Sequence, residues 1–210
     1  MSSRRVAVLL TLALAVSVAA GRAQAPAAKP APRPGKPTAP KEPPVAPGTE
    51  AVVETSKGRF TIRLLPEVAP KHAALFARTA RAGAYDGTTF HRIIMGGIIQ
   101  GGDPLSKDPA KASLYGTGGL SLLAAEFSDR PFARGTVAAA RKPSSPDSGG
   151  RQFFICLRDQ PSLVGQYTVF GEVTSGMEVV DQISTAAVDG DRAKERIEME
   201  VTLPEPAPSP

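Results

Sequence analysis

One cysteine, Cys156, and two histidines, His72 and His91, leave this chain little scope for metal or thiol chemistry. A single cysteine allows no intrachain disulfide, so the fold must rest on its packed core. The roughly 155 residues outside the terminal segments are enough for one. The histidines form no H-E-x-x-H pair and no ligand cluster, and a catalytic zinc normally needs three protein ligands. No G-x-S-x-G is present to place a serine nucleophile. Gly116-Thr117-Gly118-Gly119 lacks the Lys-Ser/Thr that completes a phosphate loop, and reads instead as a loop whose backbone comes close to something. Cys156 sits inside Phe153-Phe154-Ile155-Cys156-Leu157, where a thiol reads as a small hydrophobe rather than a nucleophile. No metal is expected.

Excess charge of one sign is also missing where it would matter. The net charge of +5 is misleading, because residues 1–48 hold seven of the 25 Lys+Arg and one of the 20 Asp+Glu. The remainder carries 18 positive and 19 negative groups, a net of −1. A near-neutral domain has no electrostatic reason to bind nucleic acid.

The N-terminal segments read as export and tether. Arg4 and Arg5 precede an apolar run at 6–20, too short to span a bilayer comfortably, and Ala23-Gln24-Ala25 follows as a small-x-small cleavage site. Residues 1–25 are therefore expected to be a signal peptide, with periplasm or cell envelope as the destination. The membrane is touched only if that segment stays uncleaved. Residues 26–48 are Pro, Ala and Lys with almost nothing to bury, the composition of a semi-rigid disordered linker. The domain is expected at 49–203, as a monomer, with a disordered tail at 204–210.

Within the domain, residues 51–65 read as a hairpin turning at Ser56-Lys57-Gly58. Pro70 suits the first turn of a helix over 71–82, and Gly83 its left-handed end. Residues 88–100 are β-branched and apolar, broken at Gly96-Gly97, and 105–120 form a long loop. Short strands follow at 135–140, 153–157 and 167–173, a second helix at 177–184, and a closing strand at 197–203. Many short strands with two helices and no βαβ alternation point to a mainly β fold, a closed barrel capped by helices.

Arg92 stands out. A cation inside an apolar strand must be paired or used, and spacing alone leaves a structural ion pair open, as it leaves Gln100 open as a core hydrogen-bonder. Phe90-His91-Arg92, then Gln100-Gly101-Gly102-Asp103, resembles the signature of the cyclophilin family. Gln152-Phe153-Phe154-Ile155 and Val169-Phe170-Gly171-Glu172-Val173 are similar too, as are Ala69-Pro70-Lys71, Gly116-Thr117-Gly118-Gly119 and Gly135-Thr136-Val137-Ala138, in the family's order. The likeness covers residues 50–201.

The resemblance implies an eight-stranded antiparallel β-barrel closed by two α-helices, prolyl isomerase activity and no cofactor. Its partners would be proline-containing segments of exported proteins. Matched position by position, Arg92 stands at the catalytic arginine, Gln100 beside the substrate backbone, and His91 just before the arginine. Phe154 and Leu163 match the floor and wall of a proline pocket. Ala140 matches a backbone contact, Arg141 its polar neighbour and Gln152 a rim residue. Four positions depart from the pattern. Gly97 replaces a pocket phenylalanine, Ile98 a methionine, Tyr167 a histidine and Ser162 a tryptophan. The Gly97 change is expected to leave the pocket open on one side. A module that binds proline segments without turning them over is the rival reading.

Overall fold

The computed structural model describes residues 44–204. The expected signal segment, most of the expected linker and all but the first residue of the expected tail lie outside the described residues. The chain opens with the expected hairpin, β1 (Glu50–Thr55) and β2 (Gly58–Leu64), whose turn uses Gly58 at φ +126°. Helix α1 (Pro70–Arg81) starts on its proline and ends before Gly83, which takes φ +60° as the left-handed stop. β3 (Thr88–Ile94) and β4 (Ile98–Gly101) form a second hairpin across Met95-Gly96-Gly97. The stretch expected as plain loop instead contains two 3-10 turns, Pro104–Lys107 and Pro109–Leu114, each opened by an aspartate that accepts a backbone N–H. Then come β5 (Thr136–Ala139), β6 (Phe153–Cys156), β7 (Val169–Ser175) and α2 (Met177–Ser184), followed by the tiny strands β8 (Val188–Asp189) and β9 (Arg192–Ala193) and the closing β10 (Glu198–Thr202).

Eight strands close on themselves in the order β10-β1-β2-β7-β5-β6-β4-β3, all antiparallel, with β3 pairing back to β10. This is the barrel that was expected. The hairpin β8–β9 was not expected; it attaches to the outer half of β3 through the Arg92–Arg192 pairing.

Alternation along the strands divides the side chains between two cores. Phe153 and Ile155 of β6, Ile99 of β4 and Val137 and Ala139 of β5 point into the barrel. There Phe76 of α1 meets Phe153 edge-on, with ring centroids 5.5 Å apart, and packs on Tyr85 and Phe170. Their neighbours in sequence, Phe154, Cys156, Ile98, Ala138 and Ala140, point outward into a second apolar cluster with Leu65, Phe132, Val169, Leu163 and Tyr167. Burial there pushes the Cys156 thiol up to about 12, so it stays protonated and inert. Residues 44–48, expected to belong to the linker, are placed against the domain, and Val45 is 8 % exposed within the barrel's core cluster.

Candidate functional site

The second cluster is the floor of a groove. β6 lies between β4 and β5, and the outward side chains of these strands form its base. Phe154 is 3 % exposed, braced by the stacked ring of Phe132 below and met edge-on by Tyr167 at 5.3 Å. Leu163, on a short turn after β6, and Ile98 complete the apolar walls of a cavity of about 620 Å³. Ala140, Arg141, Gln100, Gly97 and Arg92 line the same space. Arg141 lays its guanidinium 4.6 Å from the Tyr167 ring centroid.

Arg92 reaches this face because of an irregularity in β3. Phe90 pairs with Gly101 and Arg92 with Gln100, so β3 advances two residues while β4 advances one. His91 is the extra residue of a β-bulge. In an unbroken strand Arg92 would share the face of Phe90, which is wholly buried inside the barrel. The bulge turns Arg92 outward and leaves Ile93 pointing in. The guanidinium is therefore not a buried charge: its side chain is 41 % exposed.

A line of polar contacts fixes it. Arg92 Nη1 donates to Gln100 Oε1 at 3.3 Å, Gln100 Nε2 donates to Gln152 Oε1 at 2.9 Å, and Gln152 Nε2 donates to Gly118 O at 2.7 Å and to Asp103 Oδ2 at 3.2 Å. Asp103, fully buried, also accepts backbone N–H groups from Leu105, Gly116 and Gly118. Because Arg92 can only donate, Gln100 must present its oxygen to it, and both amides of the relay are then oriented. At the other end Arg92 Nε donates to Asp191 Oδ2 at 2.6 Å. Arg92 holds the Asp191 carboxyl below the usual carboxylate range.

A family model described as cyclophilin type peptidyl-prolyl cis-trans isomerase/CLD matches residues 51–203. The "Probable peptidyl-prolyl cis-trans isomerase" of Brucella suis is 44 % identical over 142 residues, which is 65 % of this chain and 72 % of that protein. A peptidyl-prolyl cis-trans isomerase of Arabidopsis thaliana is 36 % identical over 140 residues, covering 67 % of this chain and 83 % of that one. The crystal structure of a Cryptosporidium parvum cyclophilin in the presence of the dipeptide Ala-Pro aligns with a TM-score of 0.66 and 27 % identity, over 75 % of this chain and 99 % of that chain. The chain belongs to the cyclophilin family of peptidyl-prolyl cis-trans isomerases.

In this cyclophilin the expected site residues do not all lie on the groove. Arg92, Gly97, Ile98, Gln100, Ala140, Arg141, Phe154, Leu163 and Tyr167 share it. Gln152, expected at the rim, is fully buried and bonds Gln100 from behind. His91, the bulge residue, is 6 % exposed and absent from the groove lining, with Nδ1 3.4 Å from Thr89 O and Nε2 without a partner. Burial lowers its pKa, against a smaller upward pull from Asp103. Ser162 is exposed and outside the lining.

The opening expected at Gly97 is partly closed. A Cβ on Gly97 would meet Ile94 Cγ2 at 3.1 Å, so Ile94 already leans into that side, and Ile94 and Met95 both line the groove. The left-handed residue of the turn is Gly96, at φ +64°. Asp191, Arg158, Gln160 and Met95 escaped sequence reasoning. The one signal for Asp191 was Gly190-Asp191 itself, the two-residue turn between β8 and β9, with Gly190 at φ +63°.

Proposed function

We propose that this isomerase turns X–Pro bonds of exported polypeptides by using Arg92 to stabilise the twisted amide. The planar amide resists rotation by about 18–20 kcal/mol, because its C–N bond is partly double. At the twisted geometry conjugation is lost and the proline nitrogen carries a basic lone pair. A donor aimed at that nitrogen binds the transition state better than either planar state. No nucleophile, base or metal is required. The observation that carries this reading is the placement of the Arg92 guanidinium on one wall of a groove whose floor is Phe154. The ring would sit against Phe154, Leu163, Ile98 and Tyr167, while Gln100 and the backbone near Ala140 hold the chain. Arg92 is always charged, and its fork is fixed from both sides by Asp191 and Gln100. A charge-assisted hydrogen bond contributes about 1.5–3 kcal/mol, or about 10- to 150-fold in rate.

The client class rests on the sequence. Arg4-Arg5, the apolar run at 6–20 and Ala23-Gln24-Ala25 support export. Uncatalysed proline isomerisation takes tens to hundreds of seconds, long enough to delay the folding of a newly exported protein.

A proline-isomerisation assay on the full chain tests the site. Arg92→Ala should lower kcat/KM by about 10- to 150-fold with an unchanged circular dichroism spectrum. Full turnover by that variant would overturn the role of Arg92 and favour a groove that only binds. N-terminal sequencing of protein recovered from fractionated cells tests export. A mature form starting at Pro26 outside the cytoplasm is expected, and an intact cytoplasmic form would refute it.

A further inference from the structure

Three arginines line the groove, Arg92, Arg141 and Arg158, and no carboxylate does. Their charges are not equally matched. Arg92 is paired with Asp191 at 2.6 Å. Among the described residues neither Arg141 nor Arg158 has a carboxylate within ion-pair distance. Arg141 donates to the carbonyls of Gln166 at 3.0 Å and Lys142 at 3.1 Å, which orient the guanidinium without cancelling its charge. Arg158 is exposed. The acidic residues nearest in sequence are held on backbone groups outside ion-pair distance of the two arginines, though they keep their charge: Asp159 Oδ1 accepts Arg134 N–H at 3.0 Å, and Asp147 Oδ1 accepts Ala125 N–H at 2.9 Å. Residues 49–210 carry a net charge of −1, so two unmatched cations here are a property of the groove and not of a basic domain.

The two cations stand at opposite ends of β6. Ala140 N–H donates to Gln152 O at 2.9 Å, which sets Arg141 beside the start of that strand. Leu157 N–H donates to Gly97 O at 2.9 Å, which sets Arg158 beyond its end. Phe154 lies between them. The backbone from residue 152 to residue 157 is about 17 Å long, the length that about five residues of an extended peptide cover.

We infer that the groove selects proline segments carrying carboxylates on both flanks, one for Arg141 and one for Arg158. This rests on the proposal that the groove over Phe154 is the substrate site, and it adds the class of sequence that enters there. Arg158 is exposed and Arg141 partly so, and the selection is electrostatic, acting on encounter as well as on affinity.

The test is a fluorescence-anisotropy titration of the full chain with labelled seven-residue peptides. Each is alanine throughout except for a central proline and one residue two places to either side, which is Glu, Gln or Lys. The glutamate peptide should bind about tenfold tighter than the lysine peptide at low salt, and the ratio should collapse at high salt. Arg141→Glu and Arg158→Glu should each cut the ratio about threefold or more, and the double reversal should favour lysine. Equal affinities for the three peptides, or a ratio that survives both reversals, would overturn the inference. Turnover of the glutamine peptide is measured in the same samples. If the protein turns it over and shows no charge preference, the isomerase site stands and this inference falls. If it does not turn it over, the site proposal fails, and charge selection is still decided by the binding data.

Discussion

Arg92 donates to Asp191 with Nε and to Gln100 with Nη1, which leaves Nη2 and the second N–H of Nη1 for the groove. The ion pair is half open to solvent on both sides, with side-chain exposures of 41 % and 53 %, so it adds little to stability. Its effect is orientation: one edge of a rigid fork is held so that the other edge keeps its aim. Asp191→Ala should therefore lower kcat about 2- to 10-fold with KM nearly unchanged, and leave the melting temperature where it was. Asp191→Asn keeps an acceptor oxygen and should recover most of the loss. Steady-state kinetics on the two variants separate positioning from a purely structural role, because a structural role would move the melting temperature as well.

His91 makes the opposite contribution, touching stability before chemistry. Its Nε2 is buried with no partner, Gly116 closes over it, and Arg92 and Arg192 oppose its protonation. Burial, the largest influence, holds its folded pKa below the ordinary value of about 6.5. For a group depressed in the folded state, the stabilisation is present above the unfolded pKa and is lost as the pH falls toward the folded one. The melting temperature should thus decline as the pH drops from about 7 to 5, and decline less in His91→Gln, which cannot take the proton. Thermal scans across that range check it, and parallel slopes for the two proteins would assign the acid sensitivity elsewhere.

Among the elements, what was legible in the sequence is what carries its own pattern. The β1–β2 hairpin, both helices and the strands around Phe90, Phe154 and Phe170 announce themselves by periodicity, by Pro70 and Gly83, and by motif order. The bulge at His91 does not, because it exists only in the register between β3 and β4, and no local residue marks it. That one feature changes the reading of Arg92 from a buried cation to a half-exposed one. β8 and β9 are two residues each, too short to show alternation, so the partner they deliver to Arg92 was invisible although Gly190-Asp191 is a turn dipeptide.

Glu126 is a similar long-range case. Ala69, the N-cap of helix α1, gives it no side-chain hydrogen bond. Glu126, more than fifty residues away, accepts the N–H groups of Lys71 at 3.1 Å and His72 at 3.0 Å, and His72 Nδ1 at 2.6 Å. A carboxylate at a helix N-terminus satisfies free donors and complements the helix dipole. Glu126→Ala strands those donors, one of them on a histidine side chain that is 2 % exposed. The expected cost is about 1–3 kcal/mol, seen as a fall in melting temperature of about 2–12 °C. Glu126→Gln should fall in between. Below the transition kcat/KM should match that of the unmodified protein, since Glu126 is not part of the groove lining.

On the scale of the whole molecule, the folded body starts earlier than composition implies. Composition placed the boundary at residue 48, because 26–47 reads as proline and alanine with almost nothing to bury. Val45 is the exception, and its place among prolines hid it. It is 8 % exposed in the same apolar cluster as Phe60, Phe76 and Val201, and Thr49 turns back to Ala46 O through its backbone N–H at 3.2 Å and its hydroxyl at 2.7 Å. Burying a valine side chain contributes about 1.5–3 kcal/mol. Two truncations then have different outcomes. Removing residues 1–43 keeps Val45 and should leave the melting temperature and kcat/KM on short free peptides as they are in the full chain, since every groove residue lies between Arg92 and Tyr167. Removing residues 1–48 also deletes Val45 and the turn, and should lower the melting temperature by about 3–12 °C for a domain of this size. Differential scanning calorimetry on the two truncated forms measures the gap directly. If they melt together, residues 44–48 add nothing to the fold and the domain starts at residue 49 as the composition implied. If the shorter form melts lower but turns peptides over equally fast below its transition, the folded body includes Val45 and the groove is independent of residues 44–48.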